Sequence, residues 1–163
     1  APAHATEAPS KAYIAAVDAC LVLAKENQKK TGAAKDEAPG AAGRLAAATR
    51  EAARDPHSCI SVVTVACIRK DGDADSARSA CADRETAVWD QRLNAAYRKA
   101  LDKMEQEGAE NLRKTQRAWI TYRDARCMQA WATWQGTMAN PAKAYCEMEA
   151  TARQALWIEG WIE

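Results

Sequence analysis

Six cysteines are the residues of this sequence whose number and spacing say most about its chemistry. They are separated by 38, 7, 13, 45 and 18 residues, without a Cys-x-x-Cys pair, and His4 and His57 lie far apart. Zinc sites usually need closely spaced ligands of these types. An even number of cysteines in a small chain instead predicts a disulfide framework formed in an oxidising compartment. The positions are Cys20, Cys59, Cys67, Cys81, Cys127 and Cys146.

Three alternating carboxylates, at Asp71, Asp73 and Asp75, match the start of a calcium-binding loop. The rest of that loop is missing, because Ser76 stands at its sixth position and Ala82 at its twelfth. The pattern therefore predicts an acidic turn before a helix, whose N-terminus favours negative charge. The sequence has no GxSxG, HExxH or glycine-rich phosphate loop, so we predict no catalytic residue, no metal site and no cofactor.

Tryptophan is unusually frequent, with six residues in a chain that has no Phe. Trp131 and Trp134 are one helical turn apart, as are Trp157 and Trp161. Such spacing most often marks a hydrophobic core. A surface that binds a partner protein is the alternative reading.

The composition favours a single all-α domain. The chain has 163 residues, of which 48% are hydrophobic, and it contains only five Pro and seven Gly to form turns. Lys and Arg number 23 against 22 Asp and Glu, with the two signs mixed along the chain. We therefore expect no nucleic-acid partner. No stretch offers the roughly 18 uncharged apolar residues of a membrane span, and the oligomeric state is not predicted.

The periodicity of apolar residues places the helices. Residues 1–9 are predicted to be a loose tail, and Ser10 caps a helix that ends near Lys30. A loop over 31–43 and a short helix over 44–54 follow, and Cys59–Ile68 is predicted to be a buried helical turn or short helix. Three long helices cover about 75–107, 109–135 and 142–161, with Gly108 as the first turn. Short turns between long helices make successive helices antiparallel.

Antiparallel packing about Gly108 would bring together residues whose numbers sum to about 216. If Cys127 were bonded to Cys146, residues whose numbers sum to about 273 would be neighbours across the next pair of helices. Under both rules, polar side chains converge inside an apolar interface, with Arg123 buried among hydrogen-bonding partners. We interpret this cluster as a structural network, with a catalytic site as the alternative. Its members are Asp90, Asn94, Gln116, Arg123 and Glu149.

Residues 67–158 resemble the LprI-type lysozyme inhibitor domain, a family of small exported bacterial proteins. Three blocks in order carry the resemblance, and the middle one, QRAWITYRDARC, is the most specific. Where family members commonly have Gly-Gly-Ser after the middle helix, this chain has Gln135-Gly136-Thr137. The blocks are Cys81 with Trp89-Asp90 and Leu93-Asn94-x-x-Tyr97; Gln116-Arg117-Ala118-Trp119 with Tyr122-Arg123-Asp124 and Cys127; and Cys146 with Thr151 and Arg153.

The resemblance implies a helical domain in the periplasm or outside the cell, with disulfides Cys67–Cys81 and Cys127–Cys146. Cys20 and Cys59 then remain as a third pair. The chain begins Ala-Pro-Ala, as a protein does after removal of a signal peptide. We divide it into a tail (1–9), an N-terminal helical extension (10–66) and the LprI-like domain (67–163).

The resemblance also implies a binding protein without catalysis, whose partner is a lysozyme-like muramidase or another envelope protein. The alternatives are a periplasmic enzyme that uses the polar cluster and a structural envelope protein. The residues expected to contact a partner lie at the ends of helices, where a bundle can present a loop to a cleft. They are Asp71, Asp73, Asp75, Trp131, Trp134, Gln135 and Thr137.

Overall fold

The computed structural model describes residues 8–30 and 55–162, and within them the chain is helical with no strand. The all-α, disulfide-stapled bundle is therefore confirmed. The predictions for residues 1–7, for the loop over 31–43 and for the helix over 44–54 lie outside these described ranges. The helices are α1 (Lys11–Lys30), α2 (Val62–Asp71), α3 (Asp75–Lys103), α4 (Gln106–Thr133) and α5 (Ala139–Ile162). Short 3₁₀ turns at Pro56–Cys59 and Gly136–Met138 precede α2 and α5.

The long helices run in alternating directions, so that α3 and α5 are parallel to each other. The Thr137 hydroxyl reaches Asp75 at the start of α3, and Lys103 Nζ donates to the carbonyl of Ile162 at the far ends, at 2.6 Å. α5 packs along α3 and also against α4, whereas α3 and α4 barely touch beyond the turn that joins them. The core is correspondingly shared by α1, α3 and α5, while α4 buries only Ala109, Leu112 and Cys127.

The predicted turn at Gly108 is wrong by a few residues. α3 ends at Lys103 and α4 already begins at Gln106, so that Gly108 lies in the first turn of α4. Glycine is tolerated there because few intrahelical hydrogen bonds have formed at a helix start. The sum of 216 is therefore also wrong, and the helix that covers the apolar face of α3 is α5.

α1 is held against the rest of the bundle by apolar and ionic contacts. Ser10 caps it as predicted, since Tyr13 N donates to Ser10 Oγ at 3.2 Å. Val17 and Leu21 are buried in the common core. On the adjacent side, Arg92 of α3 forms ion pairs with Asp18 of α1 and with Glu159 of α5. One guanidinium thus links three helices.

A fully buried carboxylate on α3 caps the N-terminus of α2. Glu85 accepts hydrogen bonds at 2.7 Å from the backbone N–H of Ser61 and of Thr64, and from the Thr64 hydroxyl. It also accepts one from Trp89 Nε1 at 2.9 Å. Ser61, the residue before α2, has a left-handed backbone with φ of 81°. Because helix N-termini leave N–H groups unpaired, Glu85 satisfies donors that α2 cannot satisfy itself.

We expect Glu85→Gln to lower the free energy of unfolding by about 2–4 kcal/mol, because the amide loses the charge and turns an N–H₂ group toward a donor. Urea unfolding followed by circular dichroism, with the disulfides intact, measures the change. Glu110→Gln on the exposed surface of α4 is the control and should stay within about 0.5 kcal/mol of the parent. Equal stability of the two variants would contradict the assigned role of Glu85.

Candidate functional site

The acidic turn between α2 and α3 is one part of the candidate site. Asp71 forms a 2.6 Å ion pair with Arg84 Nη1, and this contact raises the pKa of the Arg84 guanidinium. Gly72 has φ of 93°, a conformation that favours glycine, and it ends α2. Asp73 is 84% exposed and lies 3.9 Å from Arg78. The turn therefore presents the highly exposed carboxylate of Asp73 beside the more tightly paired carboxylate of Asp71.

The turn between α4 and α5 is the other part. α4 ends as the Trp134 N–H donates to the carbonyl of Ala130 at 2.8 Å, and Gly136 reverses the chain with φ of 68°. Trp131 and Trp134 are each 49% exposed. Gln135 and Thr137 are exposed as well. Tryptophan is enriched at protein–protein interfaces, so these two exposed indole rings are candidates for contact with a partner.

The two turns meet, although they are 62 residues apart in the sequence. The Thr137 hydroxyl donates to the Asp75 carboxylate, with 2.6 Å between the oxygens. The residues predicted separately as acidic and aromatic contact sites therefore form one surface, which we call the acidic–tryptophan end: residues 71–75 together with Trp131 and residues 134–138. Met138 at 36% and Met128 at 52% exposure add to its apolar area.

Each of these turns lies inside a ring closed by a disulfide. Cys67–Cys81 brackets the acidic turn and Cys127–Cys146 brackets the tryptophan turn, with S–S distances of 2.05 and 2.03 Å. Cys20–Cys59 joins α1 to the 3₁₀ turn before α2. These are the three pairs named from the sequence. The rings restrict how far either turn can move, which lowers the ordering cost when a partner binds.

The predicted polar cluster does not assemble as predicted. Asn94 donates to Asp90 within α3 at 2.9 Å, and Arg123 donates to its neighbour Asp124 at 2.7 and 2.9 Å. The Arg123 guanidinium also lies 5.1 Å from the centre of the Trp119 ring. Its side chain is 23% exposed and therefore substantially buried, as predicted, but its hydrogen bonds go to none of the expected partners. The cause is the position of α5, which covers α3 where α4 was expected.

The remaining cluster residues pair across or along α5. Gln116 accepts a hydrogen bond from the Gln154 amide at 3.0 Å, which joins α4 to α5. Glu149 accepts from Arg153 one turn later, at 2.9 and 3.1 Å. Three short-range pairs and one interhelical pair thus replace the single network.

Sequence reasoning missed Glu85 and Met128. Both carry a signal in hindsight: Glu85 is four residues before Trp89 on the buried stripe of α3, and Met128 is three residues before Trp131 on α4. In the described part of the chain, one set of metal-ligand atoms lies close together, at Cys67, Asp71 and Cys81. The two sulfurs are bonded to each other, so they supply no thiolate to a metal. No helix in the described ranges has the length and hydropathy needed to cross a bilayer.

Comparison with known proteins gives one match. The family model for the lysozyme inhibitor LprI matches residues 67–157, from Cys67 in α2 to the second half of α5. No curated protein and no solved structure matches the chain. The matched region contains both turns of the acidic–tryptophan end and both disulfides that bracket them. An inhibitor family and three disulfides suggest a non-enzymatic, extracytoplasmic protein. The match covers more than half of the chain, and the chain belongs to the LprI lysozyme inhibitor family.

Proposed function

We propose that the protein is an exported binding protein of the bacterial periplasm or cell exterior, which inhibits a lysozyme-type muramidase by stoichiometric binding without catalysis. The acidic–tryptophan end is the contact surface. The observation that carries this proposal is the hydrogen bond from Thr137 to Asp75, because it brings the turn with the carboxylates next to the turn with the exposed indoles. Membership of an inhibitor family supports the choice of partner.

The chemistry of this end suits such a partner. Lysozyme-type enzymes have a groove that contains two carboxylates, and many are basic outside it. A protruding turn with Trp134 can enter a groove, while Asp73 at the neighbouring turn can pair with basic residues on its rim. The net charge of +1 provides little long-range attraction, so the electrostatic contribution must come from this local set of carboxylates.

The direct test is a titration of the pure protein against a panel of muramidases. Turbidity of a cell-wall suspension measures activity, and calorimetry measures the stoichiometry. We expect the activity of at least one enzyme to fall in proportion to added protein and to reach its minimum near one equivalent. Absence of inhibition at a large molar excess over every enzyme would contradict the inhibitor proposal and leave a binding protein with another envelope partner.

We expect Trp134→Ala to speed dissociation from the inhibited enzyme by about 30-fold with little change in association, as for an anchor that contributes about 2 kcal/mol. Surface plasmon resonance measures both rates. Trp157→Ala is the matched control: this ring is also 40% exposed, but it packs on Trp161 near the opposite end of α5. A similar loss in both variants would show that Trp134 has no special role.

We expect Asp73→Asn and Asp75→Asn each to slow association at low ionic strength, and the difference from the parent to vanish in concentrated salt, because exposed charges are screened over about 10 Å at 0.1 M. Association rates across a salt series provide the measurement. Glu110→Gln, at the opposite end of α4, should leave the rates unchanged. If the three variants behave alike, the acidic turn does not face the enzyme.

A further inference from the structure

A cleft of about 460 Å³ lies between the N-terminal segment and α5, and its lining on α5 begins at Ala142, one helical turn after Met138. His57, Ile60 and Ser61 form one wall, and Tyr145, Glu149 and Arg153 of α5 form the other. The first wall lies outside the region that matches the family model, and the second lies inside it. The cleft therefore exists because the N-terminal segment packs on the matched domain, and nothing in the proposed inhibition uses it.

The charged groups of the cleft already have partners. His57 Nδ1 lies 2.7 Å from Asp55 Oδ1, and Arg153 donates from Nε and Nη2 to Glu149 Oε1. The backbone N–H of His57 is the main reason why the pKa of Asp55 lies below its usual value, and Arg153 makes a smaller contribution in the same direction. Asp55 therefore stays ionised at neutral pH.

The net charge of these groups does not favour an anionic ligand. With His57 uncharged, Asp55, Glu149 and Arg153 give one net negative charge, and protonation of His57 brings the total to zero. A phosphate or carboxylate ligand would gain no net attraction. The groups are half-exposed, with 43% of the His57 side chain, 40% of Glu149 and 54% of Arg153 accessible, so a ligand can reach them.

The hydrogen-bonding positions that remain suit hydroxyl groups. Both bonds from Arg153 end on Oε1 of Glu149, which leaves Oε2 as an acceptor, and Arg153 keeps Nη1 as a donor. His57 turns Nδ1 toward Asp55, so Nε2 is its atom for a ligand. A hydroxyl both donates and accepts, so it can pair with a carboxylate and a guanidinium side by side.

Apolar side chains also line the cleft. Ile60, Cys146 and the buried Met148 lie among its polar lining residues, together with the half-buried Tyr145. A pyranose ring presents hydroxyls at its edge and C–H groups on its faces, which matches a lining of mixed polar and apolar groups. A shallow, open shape excludes the alternative of a largely apolar ligand, because such ligands need nearly complete enclosure.

We propose that this cleft is a binding site for a neutral oligosaccharide, with Glu149 and Arg153 bound to ring hydroxyls and Tyr145 packed on a ring face. The lining residues of this site are different from the residues of the muramidase surface. It would let the protein hold a glycan while the acidic–tryptophan end stays free. Sugar binding and enzyme inhibition can therefore succeed or fail separately.

Nuclear magnetic resonance titration of the isotope-labelled full chain tests the proposal. The probes are tri-N-acetylchitotriose, maltotriose and inorganic phosphate, each at millimolar concentrations. We expect at least one sugar to shift the backbone amides around Ser61, Tyr145 and Glu149, and the comparison of the two sugars identifies whether N-acetylated amino sugars are preferred. Absence of shifts with both sugars, or shifts with phosphate alone, would overturn the proposal.

Matched variants separate the cleft from the rest of α5. Glu149→Gln should lower the affinity for the sugar by about tenfold, the change expected from loss of one charge-assisted hydrogen bond. Glu147→Gln is the control, because Glu147 also pairs with a cation one turn away, Lys143 at 2.6 Å, but does not line the cleft. The spectra of the free variants report whether the fold is kept. Equal weakening by the two substitutions would overturn the assignment.

Discussion

Close packing of α3 against α5 is the constraint on which the arrangement of this molecule depends. Small side chains allow it: Ala82 and Ala100 of α3 are fully buried, as are Ala152 and Ala155 of α5. Helices that meet through alanine approach each other closely, so their relative positions along the axis are fixed by the larger residues between them. Trp89 and Met148, both buried, are the largest of these. The register that results brings the start of α3 to the turn before α5.

The same register explains why α4 is so exposed. α5 occupies the apolar face of α3, so that α4 contacts little besides α5 and keeps most of its surface in water. It is attached by the Cys127–Cys146 bond, by the Gln116–Gln154 hydrogen bond and by the packing of Leu112 and Trp119 on the core. A helix with so little buried surface can present aromatic residues at its end without losing core contacts.

Local features of this fold could be predicted from the sequence, and long-range ones could not. Ser10 at the start of α1 and the helical character of Val62–Asp71 follow from capping and from the absence of a strand partner. Which helix packs on α3 depends on how the side chains of entire helix faces fit together. A rule based on the sum of two residue numbers does not describe that fit. The contact between Thr137 and Asp75 depends on that choice, as does the failure of the Arg123 network. The four-residue spacing between Glu85 and Trp89 indicates that Glu85 lies on the buried face of α3. Its role as a cap could be predicted only if the start of α2 were known.

The disulfide rings around the two turns affect how freely the sequences of these turns can change during evolution. In a ring closed by Cys67–Cys81 or by Cys127–Cys146, the chain ends of the turn are tethered whatever residues lie between them. Apart from Gly72 and Gly136, whose positive φ favours glycine, substitutions in either turn therefore carry a small risk of misfolding, because the disulfide holds the two ends of the turn together. The helices behind the turns can thus keep their arrangement while the residues between the bracketing cysteines change.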